Sequence, residues 1–352
     1  MIKEVICFSF LLFLIGCGET SSSSVEKLTL FNETYYEQQW SINYDASFYN
    51  LNSIDSDAHI HAGELLEGNR GFGIKIAVID DGLDMNHEDL SGAVVESYNL
   101  ETGGTDVSHT LTSDTHGTAV TGIIGARINS KGIVGVAGES EIIFLKYKEM
   151  MSDAEIIELF NKAEAFGADL INCSWGTYDV SQSVKDTIVD LANNGRNGKG
   201  IAIVFASGND DQDMGNDESA IPEVISVGAT NKENLRAVYS NFGDNLDLMA
   251  PGGYWLGITT LDNSANNGVA TLDANYILYN DANGFAGTSA SAPIVSGVIA
   301  LMLAKNPNLT RVEIENILKN TADKIGNVSY ENGKNIYYGF GKINLINIMN
   351  NI

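Results

Sequence analysis

Short unbroken apolar runs alternate along this chain with longer stretches of helical periodicity, and that alternation most constrains its fold. Runs at residues 74–79, 142–147, 170–173, 201–206, 224–228 and 246–249 have the length and β-branched content of strands buried on both faces. Helical patterns over 116–127, 153–166, 184–193, 289–305 and 311–322 follow most of them. The expected architecture is α/β: a single three-layer domain with a mostly parallel central sheet flanked by helices. A length of 352 residues, 44% of them hydrophobic, suffices to bury a full core. Residues 261–284 are rich in Asn, Asp and Gly and read as a long loop or hairpin before the last large helix.

The N-terminus is of another kind. Residues 1–4 are polar and include Lys3; residues 5–15 are almost wholly apolar yet too short to span a bilayer. Leu14-Ile15-Gly16-Cys17 follows, and the whole has the shape of a secretory signal. That ending resembles the lipobox of bacterial lipoproteins, which implies cleavage before Cys17 and acylation of its thiol. An ordinary signal peptide with an incidental cysteine is the plainer alternative. The expected division is a signal peptide over 1–16, a lipidated cysteine and Ser-rich tether over 17–32, and a folded domain over 33–352. The protein would then be exported from a bacterial cytoplasm and lipid-anchored, facing the periplasm or the cell surface. Cys7 would leave with the signal and Cys17 would carry lipid, so Cys173 remains alone and no intrachain disulfide is expected.

Twenty basic residues against 46 acidic ones give a net charge of −26. Such a surface repels nucleic acid and anionic lipid and suits a soluble domain, or one that attracts cations or basic peptides. No nucleic-acid partner is expected.

Three short motifs carry the chemistry. Gly287-Thr288-Ser289-Ala290-Ser291-Ala292-Pro293 opens a helix, placing a serine near free N–H groups at the positive end of the macrodipole. His116-Gly117-Thr118 opens another helix, and Asp80-Asp81-Gly82 ends an apolar strand. Singly, these are a helix cap, a structural histidine and a turn. Together they supply a carboxylate to orient an imidazole, an imidazole to take the serine proton, and an alkoxide to attack a carbonyl.

Their order, Asp then His then Ser, is that of subtilisin. The stretches 76–82, 116–122 and 287–293 resemble the three signature motifs of the subtilisin-like serine proteases, or subtilases, and the resemblance runs from about Tyr36 to the C-terminus. It implies a subtilisin-like fold and a serine endopeptidase, with Ser289 as nucleophile, His116 as general base and Asp80 orienting it. Phe205-Ala206-Ser207-Gly208-Asn209 resembles the segment that supplies the oxyanion-hole amide, here Asn209. Asn172-Cys173-Ser174-Trp175-Gly176 resembles the segment that pairs with substrate backbone, and by that resemblance Ser174, Trp175 and Gly176, with Ala206, Ser207 and Gly208, are expected to wall the first specificity pocket.

The wording of these motifs resembles the kexin and furin branch most. In that light Asp179, four residues past Trp175, would serve a pocket for basic residues, and Asp81 would stand beside the second pocket. Thr177-Tyr178 departs from that branch, and its second pocket aspartate maps only near Asn216 and Asp217. By the same resemblance Asp89, nine residues after Asp80, and Asn129, thirteen after His116, match the family's strong calcium site. Carbonyls of Arg127, Lys131 and Ile133 would complete it, with Glu33 or Gln38 from the N-terminal arm. Structural Ca2+ is therefore expected, and no organic cofactor.

His59, His61, His87 and His109 lack partners at metal-ligand spacing and read as structural; Cys173 reads as buried and inert. Only residues 18–33 or so separate Cys17 from the catalytic arm, so removal of a large propeptide is not expected. The expected partners are peptide or protein substrates and, through acylated Cys17, a lipid bilayer; the protein itself is expected to be a monomer. A processing enzyme or macrocyclase sharing the acyl-enzyme, and a catalytically silent binding lipoprotein, are the other functions compatible with the sequence.

Overall fold

The computed structural model describes residues 32–352 apart from 69, 112, 113 and 266; the expected signal, lipidation site and most of the tether lie outside them. Seven strands form one sheet: β1 (Lys75–Asp80), β2 (Val94–Asn99), β3 (Glu141–Lys146), β4 (Leu170–Cys173), β5 (Ala202–Ala206), β6 (Ile225–Thr230) and β7 (Leu248–Pro251). Their order is β2-β3-β1-β4-β5-β6-β7, and every pairing is parallel. A short antiparallel pair, β8 (Thr260–Leu261) with β9 (Tyr276–Ile277), lies in the long Asn- and Gly-rich segment.

The helices are α1 (Ala46–Asn52), α2 (His116–Gly125), α3 (Asp153–Ala165), α4 (Gln182–Gly198), α5 (Thr288–Lys305), α6 (Arg311–Thr321) and α7 (Leu345–Met349). Strands buried on both faces explain the unbroken apolar runs. Ile76 and Val78 of β1 enter the larger core, with α2 and α5, while Ala77 and Ile79 enter the opposite core, with α3 and α4. The α5 helix is apolar all round because it is packed on all sides; an 18-residue window apolar enough to cross a bilayer is 83% buried within the fold.

β2 and the short helices α1 and α7 escaped the sequence patterns, and α4 runs past both ends of its periodic stretch. β2 is an edge strand whose Val95 and Glu96 are exposed, so it lacks the apolar run of its neighbours. In α4, Gly195, Arg196 and Asn197 leave helical geometry, yet the element continues to Gly198, beyond the periodic stretch.

The strand order positions the site. The chain places β3 on one side of β1 and then crosses to put β4 on the other. The carboxyl end of β1 is thus the switch point of an open α/β sheet, where a crevice forms.

Candidate active site

Asp80 is the last residue of β1 and is fully buried. Its Oδ1 accepts the Asp81 N–H at 2.9 Å and lies 2.7 Å from His116 Nδ1. A carboxylate can only accept, so Nδ1 carries the proton and Nε2 is left as the base.

His116 is the first residue of α2, whose N-cap, Thr115, makes no side-chain cap. Asp81 supplies one instead: its Oδ1 accepts the Gly117 N–H at 2.8 Å and its Oδ2 the His116 N–H at 3.4 Å. Gly117 is required here, because a Cβ would lie 2.3 Å from the Gly82 carbonyl and 2.7 Å from the Phe144 ring. The helix can therefore close on β1. Phe285 meets the His116 ring edge-on at 5.6 Å, and 31% of the histidine side chain stays exposed.

Burial would lower the basicity of His116. The Asp80 charge and hydrogen bond, with the Asp81 charge, outweigh it and push the imidazole up to about 9. Burial first, and then the Asp80 charge, push Asp81 up to about 7.

Ser289 sits in the first turn of α5 and is half-buried. Its hydroxyl donates to the Ser174 carbonyl at 3.0 Å, and the Ser174 hydroxyl donates to the Ser289 carbonyl at 3.2 Å. In the resting site Ser289 is thus held by the end of β4.

Asn209 follows β5 and is exposed. One side-chain atom receives the Thr288 N–H at 2.9 Å and the Thr288 hydroxyl at 3.0 Å, which identifies it as the oxygen. The amide nitrogen is left to donate beside Ser289. Thr288 holds Asn209 across 79 residues of chain, a role with no signal in the sequence.

The expected pocket residues lie together at the ends of β4 and β5, but their side chains differ in use. Trp175 turns inward: its indole donates to the Ile79 carbonyl at 2.9 Å and packs edge-on against Phe205 and Tyr147. The ring stays partly exposed. Gly176 is exposed, and a Cβ there would lie 2.4 Å from Asp217 Oδ2. Asp217 is buried and accepts from the Tyr178 and Ser219 amides and from the Ser219 hydroxyl.

Asp179 is exposed, with its carboxylate bonded to the Asn216 amide at 2.8 Å. Buried Glu218 accepts the Thr177 N–H and hydroxyl, and burial raises its proton affinity. Ser207 is buried, and Gly208 has φ +100°, where a Cβ would strike Asn241 Nδ2 at 2.2 Å.

The expected calcium ligands also converge. Buried Asp89 faces the Asn129 amide at 3.1 Å and the Ile133 N–H at 3.0 Å. Glu33 accepts the Asn129 N–H at 2.8 Å, yet its other carboxylate oxygen, like the Gln38 amide oxygen, is buried without a partner. Burial raises the proton affinity of both Glu33 and Asp89. Among the described residues the carbonyls of Arg127, Lys131 and Ile133 accept no hydrogen bond. This donor set, oxygen-only and partly orphaned, fits a hard cation. Among the described residues no three acidic, His or Cys side chains form a metal cluster, so amide and carbonyl oxygens would have to complete it.

The remaining histidines differ from one another. His87 is structural, its ring bonded to the Asn275 carbonyl and the Asp89 N–H. His59 and His61 stack at 4.3 Å, and His109 keeps a buried, unpartnered Nδ1. Cys173 is buried and free, and burial lifts its thiol well above the usual range.

The calcium-dependent protease of Trichormus variabilis is 33% identical over 329 residues, 84% of this chain but 48% of that protein. Subtilisin E of Bacillus subtilis is 31% identical over 286 residues, 79% of this chain and 66% of that protein. This chain thus spans about half the length of the calcium-dependent proteases it matches. The serine protease of Aeromonas sobria, solved with its chaperone, superposes with a TM-score of 0.78 at 20% identity, covering 91% of this chain and 66% of that one. The family model described as "Subtilase family" matches residues 71–341, and the chain belongs to that family.

Proposed function

We propose that this protein is a serine endopeptidase acting through an acyl-enzyme on Ser289. The observation that carries the reading is the Asp80–His116 pair at 2.7 Å, beside a helix-opening serine and an asparagine whose oxygen is already engaged. His116 Nε2 takes the Ser289 proton as Oγ attacks the peptide carbonyl, while Asp80 keeps the imidazolium oriented. The Asn209 amide and the Ser289 N–H receive the charge that develops on the carbonyl oxygen. His116 then protonates the leaving amine, and water attacks the acyl-enzyme by the same route.

Calcium is part of the proposal. Asp89, Asn129 and Glu33 or Gln38, with the three carbonyls, would hold it, and its charge would offset the carboxylates buried there. The names of the calcium-dependent relatives support this. Preference for Lys or Arg before the cut is supported less by exposed Asp179 than by Asp217, whose carboxylate stands against Gly176. Export and lipid anchoring rest on residues 1–17 alone.

A fluorophosphonate probe should label the wild type and leave Ser289→Ala unlabelled; an unlabelled wild type refutes the enzyme reading. Peptides ending in Arg should be cut faster than those ending in Phe, and the reverse order removes the basic preference alone.

A further inference from the structure

The loop after β7 carries an exposed aromatic pair that the catalytic steps do not use. Trp255 is 80% exposed, and its ring lies 4.7 Å from that of Tyr254, which stands 6.0 Å from Tyr239. The pair is anchored. The Tyr239 hydroxyl lies 2.5 Å from the Gly253 carbonyl, to which it donates, and 3.1 Å from the Gly252 carbonyl, which accepts the Gly287 N–H at 2.9 Å. Gly287 lies two residues before Ser289. The Gly252 and Gly253 amides both bond the Thr230 carbonyl at the end of β6, and the Tyr254 N–H closes a turn on the Leu256 carbonyl at 3.2 Å.

The sheet order gives this ledge its side. Ser174 and Gly176 follow β4, and Asn209 follows β5, whereas Gly252 to Trp255 follow β7, two strands further on. A substrate whose acyl half rests on the β4 side must carry its leaving half away over the β6–β7 side. From Gly252 to Trp255 the chain reaches at most about 11 Å, close to the rise of about three extended residues.

We propose that Trp255, backed by Tyr254, is a specificity-determining surface for the leaving half of the substrate. It favours a large apolar or aromatic side chain two or three residues after the scissile bond. An indole offers area and edge or face stacking at low cost in conformational freedom. The inference rests on the endopeptidase reading above.

Internally quenched peptides with one shared acyl half, and Phe or Gly at the second and third positions after the cut, test it on the full chain. The wild type should favour Phe over Gly about tenfold in kcat/KM, Trp255→Ala should bring that ratio near one, and Trp255→Phe should keep most of it. A flat wild-type ratio, or one that Trp255→Ala leaves intact, overturns the proposal. Fluorophosphonate labelling of each variant separates the two readings. A labelled wild type with a flat ratio overturns only this inference, and a wild type that neither labels nor cuts removes both.

Discussion

Raising the pH should switch on the proposed endopeptidase activity while weakening the fold, and the charge state of His116 links the two effects. Its imidazole is pushed up to about 9, against the usual 6.5, because the Asp80 and Asp81 charges outweigh the cost of burial. Only the neutral ring can take the Ser289 proton. With a midpoint near 9, that form is about 1% of the enzyme at pH 7 and about half at pH 9. The kcat/KM should therefore climb roughly tenfold per pH unit from 7 towards 9 and level off above about 10.

Stability runs the other way. A histidine with a raised pKa contributes stability that is full below 6.5 and lost as pH rises through about 9. Asp81, held up at about 7 by burial and the Asp80 charge, costs stability that grows as pH rises from the usual carboxylate value of 3.8 to about 7. The assay is kcat/KM for a fluorogenic peptide from pH 6 to 11 at constant ionic strength, with melting of Ser289→Ala in parallel to avoid self-digestion. Asp81→Asn should move the activity midpoint down, since it removes one of the two charges facing His116. A wild-type midpoint near 6.5, or one that Asp81→Asn leaves in place, refutes the electrostatic reasoning.

Asn209→Leu keeps side-chain volume and removes the free N–H, so kcat should fall with KM little changed in steady-state assays. The matching donor in subtilisin itself is worth roughly 100- to 1,000-fold, a magnitude taken from that enzyme and not worked from this site. Chelation by EGTA should lower the melting temperature of Ser289→Ala, by the equivalent of about 2.7 kcal/mol if free calcium stood at 100 times its Kd. A melting curve unmoved by EGTA removes the calcium reading.

Much of the fold was legible because the sheet is buried on both faces. β1, β3, β4, β5, β6 and β7 announce themselves as apolar runs within about two residues of their ends, and the five long helices by their period. β2 did not, because an edge strand with exposed Val95 and Glu96 has no such run. The short helices α1 and α7 span too few residues to show a period.

The sequence alone picked out the candidate site residues, since Asp80, His116, Ser289 and Asn209 each sit in a short local motif at the end of a strand or the start of a helix. It could not determine which atoms those residues share. The resemblance to the kexin and furin branch sets Asp81 beside the second pocket but gives no sign that its carboxylate caps α2. Trp175 reads as a cleft wall, yet its indole is turned against Phe205. Thr288 reads as filler, yet it turns the Asn209 amide. Each depends on contacts between residues 30 or more apart in the chain. Local pattern places a residue on an element, and only the packing of elements decides which hydrogen bonds its side chain must satisfy.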